Sequence, residues 1–212
     1  MCDRKGIFFR IELNHSVVSA FFLTVNPRKE NWIEFLPAAR LQSSDAWDGL
    51  FHRFQLPLFT FVVELVQQRE VALEIVQESF LNATRHIETL KADKRFDSWL
   101  FSIARQKVQI HWRKTGKEKS LKESLLDQQG GDMPMELGPD ETLIADELRE
   151  TFFLKLDALP EAMKSVLLLH YLEEFSVRDI ADILKLPEGT VKSRLYHARL
   201  RLRTELQSTQ SS

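Results

Sequence analysis

Along one side of Ser176–Leu206 (SVRDIADILKLPEGTVKSRLYHARLRLRTEL) stand side chains suited to a nucleic-acid groove. Lys and Arg can donate to guanine acceptors or to phosphates, Ser can serve either, and an exposed aromatic can touch a thymine methyl. Lys192, Ser193, Arg194, Tyr196, His197, Arg199, Arg201 and Arg203 all lie off the apolar stripe of Val191, Leu195, Ala198 and Leu202. Two helices across a tight turn would be needed to present them. Ser176 suits an N-cap, with Asp179 at the reciprocal capping-box position. Val177, Ile180, Ala181 and Leu184 then share one helical face. Pro187 removes a backbone donor and disfavours helical geometry at Leu186, so the first helix stops and a second restarts near Glu188. A helix pair with a basic second member has the form of a helix-turn-helix. The alternative is a solvated basic helix in an ordinary bundle.

Composition narrows the class. The chain has 212 residues, 43% hydrophobic, enough for one large or two small domains. Its single cysteine, Cys2, excludes an intrachain disulfide or a Cys-based zinc site and suits a reducing cytoplasm. No continuous apolar run approaches the roughly 18 residues that span a bilayer, so no membrane insertion is expected. The net charge of −2 conceals segregation. Arg85–Lys122 holds eleven bases against four acids, a surplus of +7. Glu123–Glu150 holds nine acids and one base, or −8, and Ser176–Leu206 seven bases and four acids, or +3. Local fields of this kind matter more than the total.

Enzymatic chemistry finds no support. There is no glycine-rich phosphate loop and no plausible Cys–His pair. Glu70, Glu74 and Glu78 line one helix face, but carboxylates without histidine partners suit docking better than catalysis. No catalytic residue, metal, cofactor or small-molecule substrate is expected.

The pattern predicts an all-α protein of two small helical domains joined by a flexible acidic linker. Residues 1–45 stand apart as an extension, with strand-like apolar runs over Gly6–Val25 and a loop-like stretch over Asn26–Asp45. A first domain, 46–115, holds three helices: one from Ala46 to Val66 with a possible bend at Pro57, one over Glu70–Ile87, and one capped by Asp97 and reaching Lys114. The charged loop Lys91–Arg95 precedes the third. Residues 116–140 read as linker, with Gly130, Gly131, Pro134, Gly138 and Pro139 among acids. A second domain, 141–206, holds helices over Glu141–Asp157 and Pro160–Leu172 before the helix-turn-helix, and 207–212 is a tail.

DALPEAMKSVLLLHYLEEFSVRDIADILKLPEGTVKSRLYHARLRLR resembles region 4 of bacterial RNA polymerase sigma factors, and ALEIVQESFLNATRHI with FDSWLFSIARQKVQIHWRK resembles their region 2. Without other sigma regions, the chain resembles the compact extracytoplasmic-function group of the sigma-70 family over about 46–206. The resemblance implies a non-catalytic, cytoplasmic initiation factor whose partners are core RNA polymerase and promoter DNA, with an anti-sigma factor as a further partner class. It implies −35 duplex readout by Lys192, Ser193, Tyr196 and His197, with Arg194 and Arg199 on phosphates. His197 stands where relatives often carry arginine, which leaves its base preference open. Capture of the melted −10 strand falls to Lys94, Arg95, Phe96, Arg105, Gln106, Arg113 and Lys114. Gln106 replaces a usual Asn and Ile110 a common Asp, which leaves melting open.

The same resemblance puts Glu74, Gln77 and Glu78 against the polymerase clamp and threads the acidic linker towards the polymerase active site and RNA exit path. Trp99 and Trp112 can be core or base-stacking residues, and Tyr196 can pack against its own domain instead of DNA. Two other readings stay in view: a dimeric regulator that binds duplex DNA without polymerase, and a sigma-like adaptor acting through protein contacts. Residues 1–45 fit a regulatory extension, an anti-sigma docking segment or a start codon assigned too early, the last being preferred.

Overall fold

The computed structural model describes residues 32–116, 156 and 159–210, with the side chains of 203 and 205–210 left aside. The strand-like stretch Gly6–Val25, the linker beyond Gly116 and, Leu156 apart, the helix expected over Glu141–Asp157 lie outside the described residues. Within them every regular element is helical.

The helical body begins earlier than the sequence pattern suggests. Where a loop was expected before Asp45, Trp32–Phe35 forms a 3-10 turn and Leu36–Arg40 a short helix, α1. Trp32, Leu36 and Ala39 are buried, and the Trp32 ring meets Phe54 edge-on at 5.6 Å. The apolar residues of this segment are spaced too briefly to show helical periodicity, so only their burial reveals them. Gln42, at φ 61°, turns the chain back on itself. The hydroxyl of Ser43 then accepts a hydrogen bond from the Ala46 amide at 3.4 Å and caps α2, Ser44–Val66.

Helix α2 runs unbroken through Pro57 and buries Leu50, Phe54, Leu58, Phe61, Val62, Leu65 and Val66. By length and composition it is apolar enough to cross a membrane, although its apolar residues do not form a continuous run in the sequence. In the structure 61% of that apolar window is buried inside the protein, as in a core helix. Helix α3, Arg69–His86, and α4, Phe96–Lys114, pack on it to complete a three-helix bundle. Asp97 does not cap α4: it sits in the first turn, where its carboxylate accepts from the Ser98 amide at 2.6 Å. Gly116, at φ 73°, ends the bundle just beyond α4.

The second unit opens with α5, Glu161–Leu167, for which Pro160 is the N-cap, one position ahead of the expected first-turn place. Its next turn, Leu168–Leu172, widens into a π-helix. Then come α6, Val177–Leu184, and α7, Glu188–Gln210, so the last helix continues past the expected tail boundary at 207. Helix α6 packs on α4, and one continuous core of buried residues joins the two units. At that junction the rings of Phe101 and Phe175, each 1% exposed, meet edge-on at 5.2 Å.

Candidate nucleic-acid interface

The helix-turn-helix forms as its sequence dictates. The Ser176 hydroxyl accepts from the Asp179 amide at 3.2 Å and donates to the Asp179 carboxylate at 2.6 Å. Lys185 adopts the left-handed conformation at φ 55°, and the Leu186 amide reaches back to the Ala181 carbonyl at 3.0 Å, closing α6. The Pro187 carbonyl accepts from the amides of Thr190 and Val191 and starts α7.

Val191, Leu195, Ala198 and Leu202 are buried, so Lys192 and Tyr196 stand exposed one turn apart, flanked by half-buried Ser193, Arg194 and His197. Tyr196 does not pack inward. The residue is 41% exposed, and its ring meets His197 edge-on at 5.3 Å. Leu200, 51% exposed, extends the Lys192–Tyr196 stripe by another turn; its type and isolation gave no hint of this in the sequence. Arg199 is separated from the group. Its Nε donates to the Tyr171 hydroxyl at 2.5 Å and its guanidinium lies over the Tyr171 ring, which ties α7 to the π-turn.

The expected single-strand set divides over two faces of α4 and the loop before it. Lys91, Lys94 and Arg95 are exposed on the loop, and Gln106, Ile110 and Arg113 share an outward face, with Lys114 beside them. Phe96 does not join them. It is wholly buried, with ring contacts to Trp32, Trp47, Phe54 and Trp99, and presents no face to a base. Trp112 is likewise buried at 3% exposure, and Trp99 packs on Phe96.

Arg105 turns the other way. Its guanidinium covers Trp112 at 4.6 Å, and among the described residues its Nε and Nη1 have no hydrogen-bond partner. Burial, the largest cause, lowers its pKa to about 10; Glu161 opposes this and Arg194 adds to it. Burial also lowers Arg194. Both stay charged at neutral pH, so the junction holds two guanidinium groups at the expense of their hydration. On the loop, Arg95 is engaged by α6: it pairs with Asp182 and lies 3.8 Å from Asp179.

The bundle's second helix, α3, exposes Glu74, Gln77 and Glu78 together. Lys107 of α4 reaches across to Glu78 at 2.6 Å. Leu81, 56% exposed, continues the same face; the sequence pattern had not singled it out.

Two family descriptions match in order: Sigma-70 region 2 over residues 50–118, covering the bundle, and Sigma-70 region 4 over 150–202, covering the helix-turn-helix. The chain belongs to the sigma-70 family, in its extracytoplasmic-function (ECF) group. It is 30% identical over 175 residues to the ECF RNA polymerase sigma-E factor of Haemophilus influenzae, covering 79% of this chain and 92% of that one. It is 29% identical over 167 residues to the same factor of Escherichia coli, covering 76% and 87%. The RNA polymerase sigma-H factor of Pseudomonas aeruginosa is 28% identical over 167 residues, covering 76% and 86%.

Two solved structures share the fold. CnrH in complex with the cytosolic domain of CnrY aligns at TM-score 0.59 and 18% identity, covering 83% of this chain and 97% of that one. RpoE from Bartonella quintana, in complex with the anti-sigma factor NepR, aligns at 0.51 and 22%, covering 86% and 98%. This sigma factor therefore acts in promoter transcription initiation, with RNA polymerase and promoter DNA as its partners.

Proposed function

We propose that this sigma factor reads the −35 element with the Lys192–Tyr196 face of α7. In the same reading it captures the melted −10 strand with the Lys91–Arg95 loop and the outer face of α4, and docks on polymerase through Glu74, Gln77 and Glu78. The observation that carries the reading is the outward stripe of Lys192 and Tyr196 above a fully buried Val191 and Leu195. Phosphate contacts from the flanking bases would set register, and base-edge contacts would set sequence. The exposed loop and the Gln106–Ile110–Arg113 face supply the basic track that a single strand follows. The factor works in the cytoplasm and has no intrinsic catalysis. The anti-sigma complex of the Bartonella quintana neighbour supports an anti-sigma factor as a further partner.

Run-off transcription with purified core polymerase tests this reading. Specific transcripts are expected only when sigma and core are both present. Equal promoter binding by the free chain would instead favour a polymerase-independent regulator. Replacing Glu74 and Gln77 together by Lys should weaken core binding by about tenfold or more, equivalent to roughly 1.4 kcal/mol, in a competition assay. Binding of the free chain to a −35 duplex should stay unchanged in that variant.

The packed arrangement bears on the −10 step, because Arg95 is held by α6 and Arg105 is covered at the junction. The Arg95 pairs are surface pairs, about half exposed, and each contributes less than about 1 kcal/mol. The apolar junction at Phe101 and Phe175 outweighs them: an aromatic pair alone adds about 0.5–1.5 kcal/mol beyond its buried area. The double variant Asp179→Ala, Asp182→Ala should therefore raise binding of a −10 single strand to free sigma by only about two- to fivefold. Fluorescence anisotropy measures it, and no increase would show that the acids do not restrain Arg95.

A further inference from the structure

The loop proposed to meet the −10 strand is braced from behind by Arg40, the last residue of α1. Its Nη1 donates to the Ile87 carbonyl at 3.1 Å, and its Nη2 donates to the Leu90 carbonyl at 3.1 Å and to the Asp93 carboxylate at 2.7 Å. Glu88 stands 4.0 Å from the same guanidinium. These acceptors run from Ile87 to Asp93 along the connection between α3 and α4. Ile87 and Leu90 are buried on its inner side, while Lys91 and Lys94 project outwards and Arg95 turns to Asp179 and Asp182 of α6. A planar guanidinium can hold several acceptors at fixed angles, which an ammonium cannot. The neighbouring Gln42 amide adds a bond to the Thr84 carbonyl at 3.3 Å, so the turn after α1 is fastened to the end of α3 as well.

We infer that Arg40 is a positioning residue for −10 capture: it sets the path of Ile87–Asp93 so that Lys91, Lys94 and Arg95 face one strand. The inference rests on the proposed −10 role of this loop. It also gives the segment before the bundle a task, because Arg40 lies outside the region 2 match over 50–118. Three bonds to one connection from a residue some fifty positions away remove most of the freedom that an exposed turn would otherwise keep. A loop ordered in advance loses less entropy on binding, and that advantage is specific to the strand it fits.

The test uses the full chain with core polymerase and compares binding of a −10 single strand with a scrambled strand of equal length. Arg40→Lys keeps the charge but not the fork, and Asp93→Asn removes the ionic partner while leaving the carbonyl bonds. Each should lower the preference for the −10 strand by about three- to tenfold, with core binding and −35 duplex binding retained. The double variant should lose less than the two single losses combined, because the Arg40–Asp93 pair is common to both.

A lowered melting temperature with unchanged preference would overturn the inference and leave Arg40 a purely structural tie. Should Arg40→Lys fail to fold, Asp93→Asn alone decides by the same criterion. Lys94→Ala with Arg95→Ala separates the two levels. If that pair also leaves −10 preference intact, the loop reading and this inference both fail. If the pair abolishes preference while the Arg40 and Asp93 variants keep it, the inference alone fails.

Discussion

Lys192→Glu should reduce promoter-specific initiation by about a hundredfold while leaving core polymerase binding unchanged. The lysine stands exposed on α7, one turn before Tyr196, beside the buried stripe of Val191 and Leu195. A good direct base contact discriminates by about 1–3 kcal/mol. Charge reversal removes such a contact and adds repulsion from nearby phosphates. A total near 2.7 kcal/mol corresponds to about two orders of magnitude. Run-off transcription at the native promoter measures the loss, and a core competition assay measures the retained binding. Normal initiation by the variant would show that α7 does not read the promoter through this face. Added salt should weaken binding of the free chain to duplex DNA steeply, since phosphate contacts release counterions.

Phe96→Ala should act on stability, with a loss of about 3–5 kcal/mol. The ring is wholly buried and touches Trp32, Trp47, Phe54 and Trp99, which come from the 3-10 turn, α2 and α4 itself. Removing it leaves a cavity where the N-terminal segment, α2 and α4 meet. Urea denaturation of the purified chain measures the change. The sequence resemblance suggests the opposite outcome: a Phe96 that stacks on a base would, when lost, weaken −10 binding with little change in stability. The two measurements on one variant separate these roles.

The packed arrangement gives the charge pattern a further consequence. Burial depresses the pKa of both Arg105 and Arg194, and Glu161 offsets part of the effect on Arg105. Hydration or phosphate contact would be recovered if the helix-turn-helix unit moved away from the bundle.

Much of the site was legible because it depends on local rules. The Ser176 cap, the stop at Lys185–Pro187 and the burial of Val191, Leu195, Ala198 and Leu202 follow from residues within a few turns of one another. The same is true of the exposed Glu74–Gln77–Glu78 face, since a 3.6-residue period decides which side of α3 meets the core. The start of α4 differed by two residues and that of α5 by one, because helix ends are the least sharply specified part of a helix.

What the sequence alone determined, then, was the family, the two helical units and the faces that a single helix assigns to water. The tertiary structure decided everything that depends on distant neighbours. It turned Phe96 and Trp112 inward, set Arg105 on the junction side of α4 and Gln106 on the outer side, and tied Arg199 to Tyr171. It also drew Trp32–Arg40 into the core and laid Arg40 beneath the loop after α3. The physical reason is that periodicity specifies an apolar stripe but not what packs against it. A residue near the stripe's edge becomes core or surface only when another part of the chain arrives to cover it.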